Sequence, residues 1–126
     1  MSNPILVVED NQDISLLLEL LLESVGYQVK TVSNGKEALE EVEKIQPQLM
    51  LIDIMMPEIS GIEVSRAIKE KSEREDLPIL LVSAVDRLQD EQFLDSKADG
   101  IVYKPFDLNY LLSQVDRLTN QSPSLV

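Results

Sequence analysis

Residues 49–61 read LMLIDIMMPEISG, and the break inside that stretch decides the fold. Leu49 to Ile52 is an unbroken apolar run, the pattern of a strand covered on both faces. Asp53 stands at its end, and MMPEISG is a loop by its proline and glycine. Ile62, Val64, Ala67 and Ile68 then supply the apolar side of a helix. A doubly buried strand that hands over through a loop to a helix is the unit of a parallel α/β sheet.

The unit repeats outward in both directions. Upstream, Ile5 to Val8 is a second apolar run. Ile14, Leu17, Leu18, Leu21, Leu22 and Val25 follow at helical spacing, and Gly26 is a left-handed cap. Gln28 to Val32 is a short strand, and Asn34 caps a helix that runs to about Ile45 and is stopped by Pro47. Downstream, Ile79 to Val82 forms a strand ending in Ser83. Arg87 to Lys97 is a weaker, polar helix, and Ile101 to Tyr103 is a short strand. Asp107 caps a last helix with the stripe Leu108, Leu111, Leu112, Val115 and Leu118. Five strands alternating with five helices predict a five-stranded parallel sheet, doubly wound, with right-handed crossovers. The domain is expected over residues 1–119, with 120–126 a flexible tail.

At 126 residues the chain suits one domain. It has no cysteine and no histidine, which excludes disulfides, thiolate or imidazole catalysis and the usual zinc sites. Chemistry is left to carboxylates, lysine, hydroxyls and a hard metal ion. A formal charge of −12 argues against direct nucleic-acid binding. No apolar run approaches the roughly 20 residues needed to span a bilayer. The start MSNPILVVED carries no secretory signal, so a cytoplasmic location is expected.

In such sheets ligands bind beyond the carboxyl ends of the strands. Glu9 and Asp10 end the first strand, Asp53 the third, Ser83 the fourth and Lys104 the fifth. Each alone also reads as an ordinary loop or surface residue; four strand ends meeting at one edge do not. Clustered carboxylates raise one another's pKa unless a cation sits among them, and Mg²⁺ with oxygen ligands suits both the acids and a phosphate oxygen. Asp53 can then act as nucleophile toward phosphorus, with Lys104 and Ser83 meeting the phosphoryl oxygens.

The stretches ILVVEDN (5–11), LIDIMMPEISGIEV (51–64), PILLVSA (78–84) and ADGIVYKPF (98–106) together resemble the receiver domain of two-component response regulators, and the likeness covers Ile5 to about Leu118. The resemblance implies a flavodoxin-like, CheY-like fold with Asp53 as phosphoacceptor. It implies Mg²⁺ held by Asp53, Asp10, Glu9 through water, and the Met55 backbone carbonyl. Ser83 and Lys104 would hold the phosphoryl group, with Ala84, Val85 and Pro105 flanking the site and a cis Lys104–Pro105 peptide. The donor would be a sensor histidine kinase or histidine phosphotransfer protein, and the chain would catalyse only its own phosphorylation and dephosphorylation. It would act as a monomer or phosphorylation-linked dimer, either a single-domain regulator or a fragment of a larger protein.

Two features depart from the family pattern. Its switch aromatic, three residues before the lysine, is replaced by Ile101, which predicts a blunted switch, with Tyr103 either taking part in signalling or packing on the last helix as a strand-end residue. Tyr110 is a candidate on the output surface. Leu16 and Leu20 fall outside the core stripe of the first helix, as a wider buried stripe or as a docking patch. Among rivals, an aspartyl-nucleophile phosphatase of the haloacid-dehalogenase type lacks its second acid, because Met55 stands there. A dinucleotide-binding module lacks its glycine fingerprint. A receiver-like interaction domain that works without phosphorylation is the third.

Overall fold

A computed structural model describes residues 3–71, 74–84, 90–104 and 107–119. Its elements are β1 (Ile5–Val8), α1 (Gln12–Ser24), β2 (Val29–Val32), α2 (Gly35–Ile45), β3 (Leu49–Asp53), α3 (Gly61–Lys69), β4 (Ile79–Ser83), α4 (Asp90–Ser96), β5 (Gly100–Tyr103) and α5 (Leu108–Thr119). The strands form one parallel sheet in the order β2-β1-β3-β4-β5. The three apolar runs occupy its centre and are buried along their whole length, whereas the edge strands β2 and β5 are partly open.

The sheet divides the core in two. Leu6, Val8, Ile52, Leu81 and their neighbours face Ala38, Val42, Val64 and Ile68 of α2 and α3, with Phe93 of α4 and Ile101 packed at the margin. Ile5, Val7, Leu51, Leu80 and Val102 face Leu18 and Leu22 of α1 and Leu111, Val115 and Leu118 of α5. Alternation along each strand produces this division. Each fully buried aliphatic side chain stabilises the fold by about 1.5–3 kcal/mol.

The helix ends follow local chemistry. Asn11, Asn34 and Asp107 accept hydrogen bonds from the backbone of Ile14, Glu37 and Tyr110 at 3.0, 2.8 and 3.1 Å. Ser60 and Glu63 close a reciprocal box at the start of α3, an arrangement worth about 1 kcal/mol. Gly26 takes φ +102° after α1, its N–H reaching Glu23 O while Tyr27 N–H reaches Leu22 O.

Four helix positions assigned to the core by spacing are instead exposed: Leu17 (45%), Val25 (52%), Ala67 and Leu108 (42%). They lie at the margins of their stripes, where the neighbouring element does not reach. Leu16 and Leu20 are exposed as well, which rules out the wider buried stripe. Val85, Pro105 with its peptide bond, the first residues of the fourth predicted helix and the 120–126 tail lie outside the described residues.

Candidate functional site

Register alone carries the polar residues to one edge. Val8 pairs with Ile52, Asp53 with Val82 and Ser83 with Tyr103, so the strands end almost level. The backbone keeps pairing just past them: Glu9 N–H donates to Val32 O at 3.1 Å and Lys104 N–H to Ser83 O at 2.7 Å.

Carboxylate oxygens of Glu9, Asp10 and Asp53 all lie within 4.8 Å of one another. Glu9 is 2% exposed and Asp53 3%, while Asp10 is open to solvent. The Lys104 ammonium sits 3.4 Å from Glu9 Oε1 and 3.6 Å from Asp53 Oδ1, too long for strong hydrogen bonds but close enough to hold both electrostatically. Asn11 N–H fixes Glu9 Oε2 at 3.2 Å, and Met55 N–H lies 3.3 Å from Asp53 Oδ1. Ser83 is buried at the end of β4. Met55 and Ala84 are exposed beside the site. Tyr103 is 38% exposed at the β5 end, in register with Ser83, whereas Ile101 packs against the α2–α3 side of the core. Tyr110 lies half exposed on α5, away from the carboxylates in sequence and element.

One ammonium among three carboxylates leaves the site short of positive charge. Unit charges about 4 Å apart interact by about 4 kcal/mol near a protein surface, so two buried acids in contact are costly without a cation. Burial first, and the Asp53 charge second, push the Glu9 carboxyl up from 4.5 to about 7. Glu9 Oε1 is buried with no hydrogen-bond partner among the described residues. An unsatisfied carboxylate oxygen facing two more acids is a donor set for a hard, oxygen-seeking ion, and Mg²⁺ fits it.

This has a pH consequence. A carboxyl whose folded pKa is raised stabilises the metal-free fold below about 4.5, and that contribution is lost as pH rises through about 7. A metal must displace the same proton, so apparent Mg²⁺ affinity is expected to fall by up to about tenfold per pH unit below 7. Calorimetric titration at pH 6 and 8 checks this; equal affinities would show that Glu9 carries no proton to displace.

Two contributors went unread in the sequence. Gly61 N–H donates to Ile54 O at 2.9 Å, and a Cβ at Gly61 would stand 2.3 Å from the Asp53 carbonyl oxygen. Only glycine lets α3 begin so close to the strand end that carries Asp53. Ser60 and Glu63 fix that helix start, and the S-x-x-E spacing at 60–63 is a readable signal.

A family model, the response regulator receiver domain, matches residues 5–116. The alkaline phosphatase synthesis transcriptional regulatory protein PhoP of Bacillus subtilis is 36% identical over 97% of this chain and 50% of its own length. The chain thus spans about half the length of the curated relatives it matches. Among solved structures, the response regulator TrrA of Thermotoga maritima in complex with Mg(2+)-BeF is 35% identical with TM-score 0.84, covering 94% of this chain and 99% of that one. The receiver domain of a sensor histidine kinase from Pseudomonas aeruginosa, with a magnesium ion coordinated in its active-site cleft, is 27% identical with TM-score 0.84 over 94% of this chain and 98% of that one.

Proposed function

The chain belongs to the response regulator receiver domain family of two-component signalling, and from that premise we propose that Asp53 is its phosphoacceptor. The observation that carries this is the convergence of Glu9, Asp10, Asp53 and Lys104 at one sheet edge, with a buried carboxylate oxygen left unsatisfied. An Asp53 carboxylate oxygen attacks phosphorus, the bond to the donor's imidazole nitrogen breaks, and that nitrogen keeps the electron pair and takes up a proton. Lys104 meets one phosphoryl oxygen as a point charge, and the Ser83 hydroxyl donates to another. Glu9, Asp10, Asp53 and the Met55 carbonyl are the residues that would hold Mg²⁺. When bound, the ion neutralises charge on the phosphoryl oxygens.

The 126 residues include no histidine, so the donor histidine lies outside them, on a sensor histidine kinase or a histidine phosphotransfer protein. On this reading the domain catalyses only its own phosphorylation and dephosphorylation, works in the cytoplasm and acts as a monomer or phosphorylation-linked dimer. Its formal charge of −12 assigns no nucleic-acid contact to the domain itself. No described helix is long and apolar enough to cross a membrane.

Treatment with acetyl phosphate and Mg²⁺, followed by intact-mass measurement, tests the proposal. One phosphoryl adduct is expected. Its absence, or an equal yield in EDTA, would overturn the assignment.

A second reading, a receiver that signals without phosphorylation, is favoured by Ile101 alone. Against it, Tyr103 offers a substitute aromatic: it is in register with Ser83 and partly exposed at the site. The chain has three tyrosines and no tryptophan, so Tyr27→Phe with Tyr110→Phe leaves Tyr103 as sole emitter. Its emission is expected to change when Mg²⁺ and beryllium fluoride are added. Unchanged emission would remove Tyr103 from the switch.

A further inference from the structure

Asn34 and Gly35 are the chain's one Asn-Gly pair, and the fold requires only half of it. Gly35 is fixed by packing. A Cβ there would stand 2.7 Å from Val64 Cγ2 and 3.3 Å from Ile59 Cβ, and Val64 is fully buried. α2 therefore lies this close to α3 only with glycine at its first position. Asn34 caps the helix, but a cap needs no more than an acceptor oxygen, which serine, threonine or aspartate also supplies. Only asparagine brings a carboxamide whose nitrogen can leave as ammonia, and only glycine leaves the next backbone nitrogen unshielded by a side chain.

The folded cap holds this pair apart. Asn34 Oδ1 accepts from Glu37 N–H at 2.8 Å, and Asn34 O from Ala38 N–H at 3.1 Å. Glu37 Oε1 in turn accepts from Ser33 N–H and Oγ at 3.0 and 3.1 Å. With the Asn34 backbone extended at φ −157° and ψ 169°, the Gly35 nitrogen reaches Asn34 Cγ only if the cap lets go and the backbone turns. Asn34 is partly open to water, the other reactant. The related pair Asp99–Gly100 is tied more firmly, since Asp99 Oδ2 accepts from Ile79 N–H and pairs with Lys69, each at 2.9 Å.

We infer that Asn34 is a self-modification site, gated by opening of the first turn of α2. The Gly35 nitrogen attacks Asn34 Cγ and forms a bond to it. The Cγ–Nδ2 bond breaks, and Nδ2 departs as ammonia with the proton that the Gly35 nitrogen gives up. Water then opens the cyclic imide in one of two ways. Breaking the bond to Cγ yields aspartate at position 34, which still caps α2 and suits the positive end of its dipole. Breaking the bond to the main-chain carbonyl carbon yields isoaspartate, which adds a methylene to the backbone between β2 and α2. The lengthened chain cannot keep the bonds to Glu37 and Ala38 together. Val32, two residues upstream, accepts from Glu9 N–H at 3.1 Å, so the shift reaches a carboxylate of the proposed Mg²⁺ site. That consequence rests on the metal reading above; the chemistry at Asn34 does not.

The test ages the full chain at mildly alkaline pH, where the attacking nitrogen gives up its proton more readily, and follows it by intact mass and peptide mapping. The mass gain of amide-to-acid conversion is expected at Asn34 before any other residue, with isoaspartate scored by enzymatic carboxyl methylation. Glu37→Ala, which releases Ser33, should speed the gain about fivefold, and denaturant should speed it further. Asn34→Ser should stay folded and gain no mass in that peptide. The isoaspartate fraction should bind Mg²⁺ about tenfold more weakly, while Asn34→Asp binds it as the parent does. No gain at Asn34 in denaturant, or faster change at Asp99–Gly100, would overturn the site. Equal rates in the parent, in Glu37→Ala and in denaturant would overturn the gating. Unaltered Mg²⁺ affinity in the isoaspartate fraction would overturn the link to Glu9. A parent that binds no Mg²⁺ would sink the metal reading and leave the mapping at Asn34 to stand or fall by itself.

Discussion

Asp53→Asn is expected to acquire no phosphoryl group from acetyl phosphate and Mg²⁺, while being more stable than the parent in EDTA. The two effects share one cause. Amide nitrogen and oxygen are poor nucleophiles toward phosphorus, so intact mass should show no adduct where the parent gains one. In the metal-free fold burial raises the Glu9 carboxyl to about 7, and the charge of Asp53, itself 3% exposed, adds to that rise. Removing one charge of that pair relieves the repulsion, and Glu9 keeps Lys104 at 3.4 Å. A gain of about 1 kcal/mol in denaturant midpoint experiments is expected, shrinking or reversing when Mg²⁺ stabilises the parent. An adduct that persists in the variant would place the acceptor elsewhere. A variant less stable than the parent in EDTA would mean that Lys104 outweighs the carboxylate repulsion.

Gly61→Ala should cost about 2–4 kcal/mol of stability and weaken Mg²⁺ binding as well. The added Cβ would meet the Asp53 carbonyl oxygen at 2.3 Å and Asp53 C and Ile54 Cα at 2.8 Å, all of them backbone atoms that cannot rotate away. Relief requires α3 to withdraw, which breaks the 2.9 Å bond from Gly61 N–H to Ile54 O and shifts the strand end holding Asp53. An alanine in an exposed helix would normally stabilise relative to glycine by about 1 kcal/mol, so the sign itself is diagnostic. Chemical denaturation with and without Mg²⁺ checks both parts. A neutral or stabilised variant would show that α3 can move without cost and that the close approach does not hold the site.

The strands were legible because three of them are buried on both faces, and continuous apolar runs such as Ile5–Val8 and Ile79–Val82 have few other uses. Helix existence was legible by period, but the width of each buried arc was not. Leu17 and Leu108 satisfy the spacing and still face solvent, because how far a neighbouring helix overhangs is a tertiary quantity. The convergence of acids and lysine followed from strand ends sharing an edge. The near-complete burial of Glu9, by contrast, depends on how the β1 end, Asn11 and Lys104 close around it, which no single segment encodes. Gly61 reads in sequence only as a loop marker for the same reason: that it opens α3 hard against the preceding strand is a tertiary distance.

The two-sided core has a consequence for how such a domain can be changed. On β5, Ile101 packs with the α2–α3 layer and the adjacent Val102 with the α1–α5 layer, so consecutive residues serve separate compartments. The sheet is a bulkhead between them. The packing of α1 and the packing of α4 thus sit in different compartments, and either can be re-engineered with little disturbance to the other. The chain is a part with two separately packed compartments, and Asp53 stands at the end of a strand that borders both.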